Sequence, residues 1–130
     1  MKVIVAGSRT ITDYEFLEHA ITESGFEITQ IISGGARGVD SMGERFAREK
    51  NIQCRVMTAN WDVYGKSAGY IRNEDMAKVA DALIALWDGE SKGTRNMINI
   101  AKRNNLKVFI KEIRPEVKKN EINDLPLFEK

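Results

Sequence analysis

The chain of 130 residues is long enough for one domain with a single core, and its apolar (42%) and charged (30%) fractions are those of an ordinary globular protein. Lys plus Arg (20) nearly balances Asp plus Glu (19), so net charge gives no reason to expect a broad nucleic-acid-binding surface. One cysteine, Cys54, excludes a disulfide framework, and with one histidine, His19, a structural zinc site is disfavoured.

The apolar run that opens the chain is too short for a signal peptide and leads straight into a turn. No stretch reaches bilayer-spanning length, so a cytoplasmic location is expected. Val3 to Ala6 is a continuous β-branched run ending at Gly7, the pattern of a strand buried on both faces. Thr12 or Asp13 can cap a helix to about Ser24, with Phe16, Leu17, Ala20 and Ile21 at helical spacing and Gly25 as its stop. Ile28 to Ser33 reads as a second buried strand, and Val39 to Lys50 as a helix with Met42, Phe46 and Ala47 inward.

Gln53 to Met57 is expected as a third strand, with Cys54 as a core residue. Thr58 to Ser67 is expected as a loop, Ala68 to Ala80 as a helix and Ala82 to Trp87 as a strand. Asp88 to Gly93 reads as a polar loop, Thr94 as the start of a helix to about Asn104, and Leu106 to Ile110 as a fifth strand. Strict strand–helix alternation argues for a doubly wound α/β architecture: a parallel five-stranded sheet with helices on both faces. The domain is expected to span 1–111, and the charged segment 112–130 to be a tail or arm.

Ligands of open parallel sheets sit beyond the carboxyl ends of the strands. Parallel topology brings three loops to that one edge: Gly7-Ser8-Arg9, Gly34-Gly35-Ala36-Arg37-Gly38, and Asp88 to Thr94. The second is the strongest signal. Its glycines permit close backbone approach, the following helix offers free N–H groups to a phosphate, and Arg37 adds a cation. Asp40 reads as a structural capping carboxylate. The motif is neither a Walker A loop nor the usual dinucleotide fingerprint, and it also reads as a bare strand-to-helix turn.

Ser8 and Arg9 read either as phosphate or ribose contacts or as a turn and a solvated charge. Gly93-Thr94 reads as a phosphate contact or an N-cap. Arg72-Asn73 faces a ligand or the surface. Asn60, Trp61 and Tyr64 lie in the longest polar loop, where an aromatic ring can stack on a base or cover a core edge. Trp87 is a core residue or a pocket wall, and His19 has no expected catalytic role. No metal-ligand spacing and no Ser-His-Asp or Cys-His set is visible; a magnesium ion accompanying a phosphate is the one metal allowed.

Gly-Ser-Arg at Gly7, Ser-Gly-Gly-Ala-Arg-Gly-Val-Asp from Ser33, Tyr-Ile-Arg-Asn-Glu-Asp-Met from Tyr70, and Gly-Thr at Gly93 resemble the SLOG superfamily. More narrowly they resemble its YspA/YpsA-related branch of small phage and bacterial proteins, over about Met1 to Ile110. The resemblance implies a Rossmann-like fold, a nucleotide or nucleotide-derived ligand, and a homodimer. Within the superfamily, LOG phosphoribohydrolases carry Gly-Gly-x-Gly-Thr-x-x-Glu and a catalytic arginine on the preceding helix. Arg72 matches that arginine, but Met97 stands in the glutamate position, and Glu90 and Ser91 replace the paired glycines. Cleavage of an N-glycosidic bond needs a carboxylate, which methionine is not. The expectation is therefore a sensor or sequestering module needing no cofactor, with phosphoribohydrolase as the alternative and Glu74, Asp75, Asp88 or Glu90 as substitute carboxylates. Leu125-Pro126-Leu127-Phe128 also resembles a sliding-clamp docking peptide, with Asp124 in place of its leading glutamine.

Overall fold

The computed structural model describes residues 1–113. The expected tail and the clamp-like peptide at Leu125–Phe128 lie outside the described residues.

Five strands form one parallel sheet: β1 (Lys2–Gly7), β2 (Gln30–Ser33), β3 (Gln53–Val56), β4 (Ala82–Trp87) and β5 (Lys107–Glu112), in the spatial order β3-β2-β1-β4-β5. β1 and β4 lie side by side at the centre, with Val3 opposite Ala82 and Gly7 opposite Leu86. Strand order reverses there. The chain winds outward from β1 to β3 on one side and returns to place β4 on the other, which leaves a crevice at the carboxyl ends of β1 and β4.

The helices are α1 (Tyr14–Ser24), α2 (Val39–Glu49), α3 (Trp61–Tyr64), α4 (Ala68–Val79) and α5 (Lys92–Arg103). Side chains alternate along a strand, so β1 sends Val3 and Val5 to one face and Ile4 and Ala6 to the other. The first pair packs with Leu17 and Ile21 of α1 and Val39, Met42 and Phe46 of α2. The second packs with Met76 of α4 and Met97 and Ile100 of α5. The expected doubly wound, Rossmann-like architecture is the observed one.

Some expected boundaries differ. β2 starts at Gln30 because Thr29 is tied to the chain start, its N–H donating to the Met1 carbonyl at 2.8 Å. β3 is an edge strand and largely exposed, so Cys54 is only half-buried, not a core residue. The segment expected as a loop from Thr58 contains α3, capped by Asn60, whose Oδ1 accepts from Val63 N–H at 3.2 Å, and a 3₁₀ turn over Gly65–Ser67. Helix α5 begins two residues before Thr94, because Ser91 is its cap and accepts from Thr94 N–H at 3.4 Å. β5 spans Lys107–Glu112, one residue later at its start and two at its end than the expected Leu106 to Ile110.

Candidate functional site

A cavity of about 450 Å³ opens at the switch point, within the usual size range of small-molecule sites. β1 and the turn after it supply Gly7, Ser8, Arg9 and Thr10; the loop after β4 supplies Asp88 and Ser91. Gly7 permits this closeness: a Cβ there would lie 2.1 Å from the Leu86 carbonyl oxygen. The two loops are also tied directly. Ser8 N–H donates to the Leu86 carbonyl at 3.1 Å, and Asp88 N–H donates to Ser8 Oγ at 3.2 Å. Ser8 is 1% exposed, so its hydroxyl positions Asp88 before it can serve a ligand.

Helix α4 forms the opposite wall. Gly69, Arg72, Asn73 and Met76 line the cavity, and their i, i+3, i+4, i+7 spacing puts them on one helical face. Arg72 is fixed at two points, donating from Nη1 to the Gly34 carbonyl at 2.5 Å and from Nε to Asn73 Oδ1 at 3.0 Å. Asn73 in turn donates from Nδ2 to Asn96 Oδ1 at 2.9 Å. This relay joins α5, α4 and the glycine loop through one guanidinium.

The glycine loop itself stands beside the cavity. Of its five residues only Ala36 lines the wall; Gly34, Gly35, Arg37 and Gly38 do not. Two of its amides have internal acceptors: Gly35 N–H donates to Ser33 Oγ at 3.1 Å, and Ala36 N–H to Asp40 Oδ2 at 3.2 Å. Gly38, at φ +75°, passes so close to Arg9 that a Cβ would lie 2.6 Å from its carbonyl oxygen. The loop thus acts here as a scaffold for Arg72, Arg9 and Asp40. Asp40 does not cap α2, which has no side-chain cap; its Oδ2 accepts from the loop amide of Ala36 instead. It also lines the cavity, a position its sequence context does not reveal.

Charge on the wall is mixed: Arg9, Lys66 and Arg72 face Asp40 and Asp88. Burial raises the Asp40 carboxyl above its ordinary value, against the lowering effects of Ala36 N–H and of Arg72. Burial lowers Arg72, Asp40 opposes this, and nearby Arg9 adds to it. Burial would raise Asp88 too. There the amides of Ser91 and Glu90 and the Ser8 hydroxyl prevail, and its carboxyl sits below the ordinary value.

Trp61 lines the cavity and is half-exposed, as is Tyr70; Asn60 only caps the short helix and does not line it. Gly93 and Thr94 line the wall, but the Thr94 hydroxyl is engaged with Ser91 Oγ at 3.1 Å. Trp87 stands off the wall, its indole N–H donating to the Ser91 carbonyl at 3.1 Å. Sequence reasoning missed Thr10, Lys66, Gly69, Tyr70 and Ser91. Gly69 carried a signal in its helical spacing from Arg72, Tyr70 in opening the Tyr70–Met76 motif and Ser91 in lying within the Asp88–Thr94 loop; Thr10 and Lys66 carried none. Among the described residues no three His, Cys, Asp or Glu side chains cluster as a metal site, and no helix is long and apolar enough to cross a membrane.

A parallel sheet in this order, with a cavity at its reversal, defines a Rossmann-like α/β protein with a switch-point site. The chain belongs to the YspA, cpYpsA-related SLOG family (YAcAr), whose model matches residues 1–64. It is 31% identical over 118 residues to the Gene 61 protein of Mycobacterium phage D29, covering 83% of this chain and 94% of that protein. Among solved structures it is similar to DNA processing protein A (DprA) of Streptococcus pneumoniae, with a TM-score of 0.67 at 20% identity over 84% of this chain. The match spans 49% of the DprA chain, so the likeness is one of fold over about half of that protein. Family membership suggests a nucleotide-related function. Arg72, Asp88 and Thr94 lie beyond the segment the family model matches.

Proposed function

We propose that the protein binds a nucleotide or nucleotide-derived ligand in the switch-point cavity, as a sensor or sequestering module. One observation carries this reading: Arg9, Lys66 and Arg72 line one cavity together with the half-exposed rings of Trp61 and Tyr70. Guanidinium and ammonium groups suit phosphate oxygens, and the rings offer a face to a base. Gly7, Ser8, Ala36, Asn73, Gly93 and Thr94 complete the wall. No cofactor is part of this reading; a magnesium ion would enter only with the ligand's phosphates. Native mass spectrometry of protein purified from its host tests it. A co-purifying nucleotide that is lost in Arg72→Ala is the expected result. Absence of any nucleotide, together with no heat of binding across nucleoside mono-, di- and triphosphates, overturns it.

A second reading, hydrolysis of an N-glycosidic bond, has one observation in its favour. Of the four carboxylates that can stand in for the missing glutamate, Asp88 alone lines the cavity. Glu74 pairs with Arg103 at 3.4 Å, Asp75 lies 3.9 Å from Lys78, and Glu90 is exposed. Free base or ribose phosphate released from nucleoside monophosphates would establish turnover; stoichiometric binding without release would exclude it.

A further inference from the structure

Asp88 poses a problem for an anion site. It is a carboxylate on the wall that also carries Arg9 and Arg72, so a ligand phosphate beside it would be repelled. It is also tightly held. Glu90 N–H and Ser91 N–H both donate to Oδ1 at 2.8 Å, just ahead of α5. That turn leaves Oδ2 clear of both amides. Asp88 thereby sets a fixed negative charge just ahead of the amino end of α5, where the helix dipole favours it.

A fixed carboxylate accepts hydrogen bonds and donates none while ionised. Its ligand partner must therefore present O–H or N–H donors at a part that carries no negative charge. In a nucleotide the sugar hydroxyls satisfy this, and they lie between the phosphate and the base. The cavity wall carries groups of matching chemistry: Arg9 and Arg72 as cations, Asp88 at the carboxyl end of β4, and the half-exposed rings of Trp61 and Tyr70. Asp40 is the less suitable acceptor, because its Oδ2 is engaged with Ala36 N–H and it is almost fully buried.

Resting on the nucleotide reading above, we propose that Asp88 accepts hydrogen bonds from the ribose hydroxyls and makes the site selective for ribonucleotides over 2′-deoxyribonucleotides. The selectivity follows from loss of a charge-assisted hydrogen bond and from the unpaired acceptor left behind when the 2′-hydroxyl is missing. The Ser8 hydroxyl and the two backbone amides fix the carboxylate beforehand, so little ordering accompanies binding.

The test is calorimetric titration with the four ribonucleoside 5′-monophosphates and their 2′-deoxy counterparts, in buffer containing EDTA. The expected result is a preference of about tenfold or more for the ribo form of whichever base binds. Asp88→Asn keeps an oxygen for the Glu90 and Ser91 amides, so the turn is retained while the charge is removed. In that variant the gap narrows because the ribo form weakens and the 2′-deoxy form does not. Equal affinity of the wild-type protein for ribo and 2′-deoxy forms overturns the inference and leaves the nucleotide reading standing. A preference that appears only when magnesium replaces EDTA gives Asp88 to a cation and also overturns it. Binding of none of the panel overturns the inference; the nucleotide reading falls with it only if no nucleotide co-purifies and the di- and triphosphates also give no heat.

Discussion

Arg72 holds the first glycine of the Ser33–Asp40 segment: its Nη1 donates to the Gly34 carbonyl at 2.5 Å while its Nε donates to Asn73 at 3.0 Å. One side chain therefore connects α4 to the loop after β2 and faces the cavity. Arg72→Ala breaks both bonds and leaves Asp40 without the nearby cation that offsets its burial. The expected loss is about 1.5–3 kcal/mol of stability, the usual worth of a hydrogen bond to a charged group. Arg72→Lys does not restore it, since an ammonium cannot span two acceptors in the planar fork geometry. Urea unfolding midpoints check this; a midpoint unchanged in Arg72→Ala would return the residue to the class of solvated surface charges.

Two carboxylates in one cavity are expected to titrate with opposite effects on stability. Asp40 is raised above its ordinary 3.8, so the folded state holds its proton more tightly than the unfolded state. Stability then falls as pH rises from that value through the folded one. Asp88 is lowered from 3.8. Its contribution is present above that value and is lost as pH falls through the folded one. Asp40→Asn should flatten the decline on the neutral side, and Asp88→Asn should flatten the decline on the acid side. Chemical denaturation from pH 3 to 8 distinguishes them; identical pH profiles for the two variants would contradict the assignment.

The fold was legible because its signals are repetitive. β1 and β4 are uninterrupted apolar runs, and α1 carries both its cap, Asp13, and its stop, Gly25. The site was legible only in part. Sequence identifies which loops meet at one edge of a parallel sheet, and Ser8, Arg9, Arg72 and Asp88 do meet there. It does not reveal which amides already have partners. The Gly34–Gly38 loop reads as an anion cradle from its composition, yet Ser33 and Asp40 take two of its donors. Lys66 was missed because it belongs to no pattern and only the turn after α3 brings it to the cavity; Tyr70 opens the Tyr70–Met76 motif, but the motif does not say which of its residues turn to the cavity.

Glycines in the two loops should differ in what they do. Gly38 has φ +75°, and a Cβ there would meet the Arg9 carbonyl oxygen at 2.6 Å, carbonyl carbon at 2.8 Å and Cα at 2.7 Å. Backbone cannot swing aside as a side chain can, so Gly38→Ala should cost on the order of 1–3 kcal/mol or more. Gly93 lies in the first turn of α5 with nothing within 4 Å of a built Cβ. Gly93→Ala should fold at least as well, gaining up to about 1 kcal/mol of helix propensity. Because Gly93 lines the cavity, any effect should appear in nucleotide affinity. Melting temperature and affinity measured on both variants separate scaffold from wall. A Gly93→Ala protein that loses stability would place its α5 turn under a constraint the contacts do not reveal.

Met97 is where a related hydrolase would carry its glutamate, and it is 1% exposed, packed with Met76 and Ile100 while touching the cavity. Restoring the acid by Met97→Glu would set a carboxylate among these apolar neighbours, with Asp88 already charged on the same wall. Desolvation and like-charge repulsion both act against it. The variant should lose on the order of 3 kcal/mol or more and should release no base from nucleoside monophosphates. Met97→Leu, which conserves volume and polarity, should cost less than about 1.5 kcal/mol. Denaturation midpoints for the pair, with a chromatographic assay for free base, decide the matter. A well-folded Met97→Glu protein that cleaves nucleotides would mean that this cavity lacks only one carboxylate to be a hydrolase. A poorly folded one would mean that the packing around α5 suits methionine and does not accept a carboxylate at this position.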